Sequence, residues 1–287
     1  MNRVNARDQV LISVAELANR IRAGDPVALL DVRWRLDEPD GHPAYLRGHL
    51  PGAVYVSLED ELSDHTVAGR GRHPLPSGRS LQAAARRWGI RQDGLVVAYD
   101  DWNRAGSARA WWVLTAAGIE NVRILDGGLA AWRSAEEPLE TGPVAPPAGN
   151  VLVGHDDLAA GCRPTLTAQQ SRSGTTQLLD ARAPERFRGD VEPVDAAAGH
   201  IPGAINLPSA TVLACDGTFL DEDALARLLS GCGIGPDGPV GAYCGSGITA
   251  AIIVAALAAV GREAALYPGS WSEWSLDPTR PVARDAG

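Results

Sequence analysis

Val240-Gly241-Ala242-Tyr243-Cys244-Gly245-Ser246-Gly247-Ile248-Thr249-Ala250 joins a short apolar run to a cysteine, a Gly-Ser-Gly loop and the start of an apolar segment, Ala250–Val260. Asp237-Gly238 is a turn that leads into the run, and Gly261 is the residue type that ends a helix at C′. The pattern predicts a strand over 240–243, a tight loop and a helix over 250–260. A strand tied directly to a helix is the unit of a parallel sheet covered by helices on both faces. Ligands of such sheets bind at the carboxyl ends of the strands, where Cys244 lies.

Working outward, the same pattern occurs earlier. Leu95–Tyr99 follows Asp93-Gly94 and precedes a predicted helix over 108–117, closed by Gly118. Other blocks repeat in the same order. Leu29-Leu30-Asp31-Val32-Arg33 returns as Leu178-Leu179-Asp180-Ala181-Arg182. Gly48-His49-Leu50-Pro51-Gly52-Ala53 returns as Gly199-His200-Ile201-Pro202-Gly203-Ala204, and Gly127 and Trp132 as Gly269 and Trp274. Several blocks in one order mark a duplication. Ser13-Val14-Ala15-Glu16 and Thr167-Ala168-Gln169-Gln170 are matching helix starts. The runs 27–32 and 177–181 are matching strands. The Pro- and Gly-rich stretch 136–150 reads as an extended linker. The expected division is a first domain over 1–137, a linker region over 138–163 and a second domain over 164–287.

Composition narrows the function. The chain has 287 residues, enough for two domains, and a formal charge of −9. An acidic surface argues against nucleic acid or an anionic membrane as partner. All 26 basic residues are Arg, which removes Schiff-base, pyridoxal-anchoring and P-loop lysines. The longest apolar run has eleven residues, whereas a membrane span needs about 20. The first residues lack the apolar core of a secretory signal. Cys162, Cys215, Cys232 and Cys244 form no Cys-x-x-Cys pair, so free thiols, a cytoplasmic location and no metal are expected. No cofactor is called for.

Cys244 carries the chemistry. Gly245 and Gly247 permit backbone angles that turn successive N–H groups inward as an anion nest, and the helix start adds a positive dipole end. Such a setting suits a nucleophilic sulfur, and it would equally hold a second sulfur on Cys244 as an anionic persulfide. A buried core cysteine is the alternative. In the first copy this position is Asp100. Cys162, Cys215 and Cys232 lack the Gly-rich setting. His49 and His200 occur in both copies, with and without the cysteine, and are expected to brace turns.

These features resemble the tandem-domain rhodanese superfamily, the thiosulfate and 3-mercaptopyruvate sulfurtransferases. The resemblance rests on the duplication, Tyr45-x3-His49-Leu50-Pro51-Gly52-Ala53, the 244–249 loop and Tyr267-Pro268-Gly269-Ser270-Trp271-Ser272-Glu273-Trp274. It implies an α/β fold of two rhodanese-like domains, the first inactive with Asp100 at the cysteine position and the second catalytic. It further implies that Cys244 takes a sulfur from a small donor and passes it to cyanide, a small thiol or thioredoxin. Arg186, in Arg186-Phe187-Arg188-Gly189, would hold the donor's anionic group beside Gly245, Gly247, Ile248 and Thr249. A surface ion pair is the alternative for Arg186 and Arg188. His73, in His73-Pro74-Leu75-Pro76, would link Ser246 to an upstream acid, Glu59 or Asp60; a surface histidine is the alternative. A second substrate arginine would be expected shortly after Arg188, where Val194 and Asp195 stand instead.

Rival readings remain. A phosphatase on this fold needs Cys-x5-Arg, and the sixth residue after Cys244 is Ala250. A non-catalytic persulfide carrier is consistent with the sequence. The loop 245–248 is uncharged, which favours 3-mercaptopyruvate, with one carboxylate, over thiosulfate. On sequence alone only the loop amides and Arg186 would face the donor.

Overall fold

The computed structural model describes residues 5–284, which fall into two compact units. The first comprises the residues up to Asp64, Leu75–Arg163 and Cys215–Thr218. The second comprises His65–Pro74, Pro164–Ala214 and the residues from Phe219 on. The segment His65–Pro74 therefore packs with the second copy although it precedes the linker in sequence.

The first unit is built on a parallel sheet of β1 (Leu11–Ile12), β2 (Val27–Asp31), β3 (Val54–Tyr55), β4 (Leu95–Tyr99) and β5 (Val122–Leu125), in the order β1-β5-β4-β2-β3. β2 pairs with β4 from Val27 against Leu95 to Asp31 against Tyr99. Every residue of β4 is buried, as a central parallel strand covered on both faces must be. Leu17, Leu29, Leu50, Val97, Tyr99 and Trp132 form one core cluster of this unit. Ser13 caps the helix Val14–Ala23 by accepting the Glu16 N–H, and Gly24 ends it at φ 75°.

The second unit repeats the plan with β6 (Gln177–Asp180), β7 (Ile205–Asn206), β8 (Val240–Tyr243) and β9 (Ala265–Leu266), all parallel, in the order β7-β6-β8-β9. A single bridge from Thr165 to Leu266 stands where β1 stands in the first sheet. Thr167 and Gln170 form the reciprocal capping box expected at 167–170. The helix Ala250–Ala259 is apolar all round and buried along almost its whole length, as the run 250–260 predicts.

The other long apolar helix spans Ala105–Ala116 and begins three residues before the predicted 108. The reason is local. The Asp100 carboxylate accepts the backbone N–H groups of Arg104 and Ser107, and so satisfies donors of the first turn. Among the described residues no helix is long and apolar enough to cross a membrane.

Candidate active site

Cys244 directly follows β8 and is buried. Its backbone N–H donates to Ser270 Oγ at 3.1 Å, and its carbonyl accepts from the Trp271 N–H at 3.0 Å. The loop that follows turns back on the sulfur: the Gly247 N–H points at Cys244 Sγ, 3.1 Å away. Gly247 has φ 80°, and a Cβ there would lie 2.3 Å from the Pro268 carbonyl oxygen. Only glycine serves at this point, both for conformation and for space. Ile248 is buried behind the loop, and Thr249 stands at the N-cap of the helix Ala250–Ala259.

The first copy shows what such a loop holds. Asp100 follows β4 as Cys244 follows β8, and its carboxylate accepts from the backbone N–H groups of Trp102, Arg104 and Ser107 at 3.0–3.1 Å. The Ser107 hydroxyl adds a bond of 2.6 Å, and Arg104 Nη2 lies 3.3 Å away. One copy thus carries a built-in anion at this strand end, and the other carries a sulfur. In the first copy three N–H groups form an anion nest around the carboxylate, and in the second the Gly247 N–H meets the sulfur.

The turn after β9 braces the second loop. Ser272 N–H donates to the Gly245 carbonyl at 2.8 Å, and Ser272 Oγ accepts the Arg72 backbone N–H at 3.0 Å. Gly71, at φ 86°, makes that approach possible. A Cβ there would lie 2.6 Å from the Gly269 carbonyl oxygen and 2.7 Å from Ser272 Oγ. His73 is carried in on the same segment, buried, with Nδ1 2.7 Å from Ser246 Oγ and its ring against His65. The surface alternative for His73 is excluded. Of the two candidate acids, Asp60 accepts from Ser57 Oγ at 2.7 Å and Glu59 from the Trp34 indole N–H at 2.6 Å; both belong to the first unit.

Arg186 lies beside the loop, its Nη1 3.6 Å from where a Gly245 Cβ would be. It is no surface side chain: Nη2 donates to Glu192 at 2.7 Å and to Asp195 at 3.1 Å. Arg188 does pair on the surface, with Asp190 at 2.8 Å. The expectation that only loop amides and Arg186 face the donor needs correction. Arg72 Nη2 comes within 2.9 Å of the Gly245 Cβ position, and Arg72 pairs with Asp195 through Nη1. Sequence reasoning missed Arg72, Glu192 and Asp195; the one available signal was that Arg72 adjoins His73.

Glu192 organises this cluster. Its Oε1 accepts from Arg186 and from the backbone N–H groups of Val194 and Asp195, and its Oε2 lies 3.5 Å from Arg182. Burial pushes the Glu192 carboxyl up, but the Asp195 N–H, the Arg186 guanidinium and the Val194 N–H together hold it below the usual range. Asp195 moves the other way. Burial raises it, with help from neighbouring Glu192, against the pull of Arg72 and Arg186.

His49 and His200 hold backbone carbonyls in both copies, His49 those of Leu50 and Gly142 and His200 that of Phe187. Cys162 and Cys215 are exposed and Cys232 is half-buried; none sits in a Gly-rich loop. Among the described residues no three His, Cys, Asp or Glu side chains gather as a metal-ligand group.

The rhodanese-like domain model matches twice, over residues 13–135 and 164–277. "Putative thiosulfate sulfurtransferase SseB" of Mycobacterium tuberculosis is 74% identical over 98% of this chain and 99% of its own. The 3-mercaptopyruvate sulfurtransferase of Escherichia coli K12 is 39% identical over 83% of this chain and 84% of its own. The crystal structure of SseA from Escherichia coli superimposes with a TM-score of 0.80 at 33% identity, covering 91% of this chain and 98% of that one. With the duplicated parallel sheets and the loop at the end of β8, these matches make the chain a member of the rhodanese family, with two rhodanese-like domains in tandem.

Proposed function

We propose that this protein is a sulfurtransferase that moves a sulfane sulfur from 3-mercaptopyruvate to a thiol or cyanide through a persulfide on Cys244. The observation that carries the reading is the sulfur at a strand end, met by the Gly247 N–H and flanked by the Ser246–His73 pair. The Cys244 thiolate attacks the donor's sulfur. A Cys244 S–S bond forms as the donor's S–CH2 bond breaks, and the bonding pair leaves with pyruvate as its enolate. That enolate takes up a proton, for which Ser246, backed by His73, is the positioned source. The acceptor then attacks the outer sulfur. Cyanide leaves as thiocyanate or a thiol as its persulfide, and the Cys244 thiolate returns. Thioredoxin is one dithiol of the acceptor class. The four free cysteines suit a reducing compartment, the cytoplasm.

The donor assignment rests on charge. Arg72 and Arg186 lie beside Gly245, but Asp195 and Glu192 pair with them, so little uncompensated positive charge faces the donor. A donor with one carboxylate fits this balance better than a dianion. Thiosulfate is the second reading, favoured by the name of the Mycobacterium tuberculosis relative.

The test is sulfur loading followed by turnover. Intact-mass measurement after incubation with mercaptopyruvate should show one added sulfur, about 32 Da, on Cys244. Cys244→Ser should show none and should not turn over with cyanide or dithiothreitol. Wild-type kcat/KM should be higher for mercaptopyruvate than for thiosulfate. A faster reaction with thiosulfate would replace the donor, and a wild type that gains no sulfur from either would overturn the enzyme reading.

A further inference from the structure

Away from the loop after β8, a second sulfur meets an imidazole. Cys162 is exposed, and its Sγ lies 3.2 Å from His155 Nε2. Both residues belong to the first unit, whose own strand end holds Asp100 in place of a nucleophile. The end of the helix Ala105–Ala116 brings the two together. The Cys162 N–H donates to the Ala116 carbonyl at 2.9 Å, and the N–H of Gly154, next to His155, donates to the Ala117 carbonyl at 2.9 Å. Gly161 allows the first of these approaches, since a Cβ there would collide with the Ala116 oxygen. The segment that carries His155 is pinned on its other side as well. Asp156 accepts the Gly78 N–H through its carbonyl at 2.7 Å and the Arg79 N–H through its carboxylate at 2.8 Å. At Gly118, just past the helix, a Cβ would stand 3.8 Å from both Cys162 Sγ and His155 Cδ2. Thiol and imidazole thus sit side by side at the carboxyl end of the helix.

We propose that Cys162, with His155 as its base, is a second reactive thiol that takes up a sulfur group from small molecules carrying an S–S bond. A thiol nucleophile needs a group within hydrogen-bond reach to take its proton, and the imidazole supplies it. The imidazolium that forms faces the negative end of the helix, a favourable place for a cation. The step balances. The Cys162 proton passes to His155, and the thiolate attacks one sulfur of the S–S bond. A new S–S bond forms as the old one breaks, and the leaving thiolate takes the proton from His155. A small disulfide leaves a mixed disulfide on Cys162. A small persulfide, attacked at its outer sulfur, leaves a Cys162 persulfide. No other oxidant enters, and the proposal is independent of the chemistry at Cys244.

Exposure alone gives any surface cysteine some reactivity, and Cys215 measures that baseline. It is exposed too, and among the described residues no imidazole lies within hydrogen-bond distance of its sulfur. The probes are glutathione disulfide and glutathione persulfide, with adducts read peptide by peptide by mass spectrometry. Cys162 should react at least about tenfold faster than Cys215. It should gain a glutathionyl group from the disulfide and one sulfur, about 32 Da, from the persulfide. His155→Gln should bring Cys162 down to the rate of Cys215 and leave Cys215 unchanged. His155→Asn should do the same, and the half-buried Cys232 reports in each sample whether the fold is kept. Cys162→Ser should leave turnover of mercaptopyruvate unchanged, which separates this thiol from Cys244.

A wild-type Cys162 no faster than Cys215 would overturn the proposal, and this comparison needs no variant. So would an advantage that survives in both His155 variants, because exposure would then account for it. Labelling by one probe and not the other supports the site and names its source of sulfur; labelling by neither removes it.

Discussion

His73 Nδ1 stands 2.7 Å from Ser246 Oγ, across 173 positions of sequence, and both groups are buried. A buried hydroxyl bonded to an imidazole can give up a proton and be reprotonated without reaching bulk water. Ser246→Ala should therefore lower kcat for mercaptopyruvate, whose enolate must be protonated, by about tenfold to a hundredfold. Thiosulfate leaves as sulfite and needs no such proton, so its rate should change less. Steady-state kinetics with both donors check this. An equal loss for the two would reduce Ser246 to a loop brace.

Gly247→Ala should abolish turnover. The added methyl meets the Pro268 carbonyl at 2.3 Å in a backbone conformation with φ 80°, so the loop must move and carry its N–H away from Cys244 Sγ. A stability loss of about 1–3 kcal/mol is expected, measurable by denaturant unfolding. Cys244 should remain titratable with a disulfide reagent in the folded variant, which separates loop distortion from unfolding.

Asp100→Ala tests the first copy. It leaves three backbone N–H groups, those of Arg104 and Ser107 buried, and the Arg104 guanidinium without their carboxylate. The expected loss of stability is about 3–5 kcal/mol. Asp100→Asn, which keeps one carbonyl oxygen for the nest, should lose less. The midpoints of urea unfolding for the two variants decide the order.

Glu192 makes the arginine cluster acid-labile. Its folded pKa lies below the unfolded value of 4.5, so its stabilisation is fully present above that pH. The contribution is lost as pH falls through the lower folded value. Glu192→Gln should be less stable near neutral pH and should show a shallower fall in stability on the acid side. Unfolding midpoints measured from neutral pH down to about 3 check the sign.

The sequence by itself determined the duplication, the strand–cysteine–loop–helix unit and the contrast between Cys244 and Asp100. Those are local signals: Asp-Gly turns, helix caps, a Gly-rich loop and apolar runs of helical length all act within a few residues. Even the early start of the helix at Ala105 has its cause within seven residues, in Asp100. Only the tertiary structure decided what faces the loop. Arg72 is one of 26 arginines, and only its place next to His73 tells it from Arg70 or Arg79 in sequence. Its position comes from Gly71 packing on the turn after β9, and its partner Asp195 comes from a third segment. Asp195 stands where a further arginine was expected, and a guanidinium beside the loop comes from residue 72. Charge pairing acts through space, so a chain can exchange the segment that carries a cation without leaving a local trace of where the cation now lies.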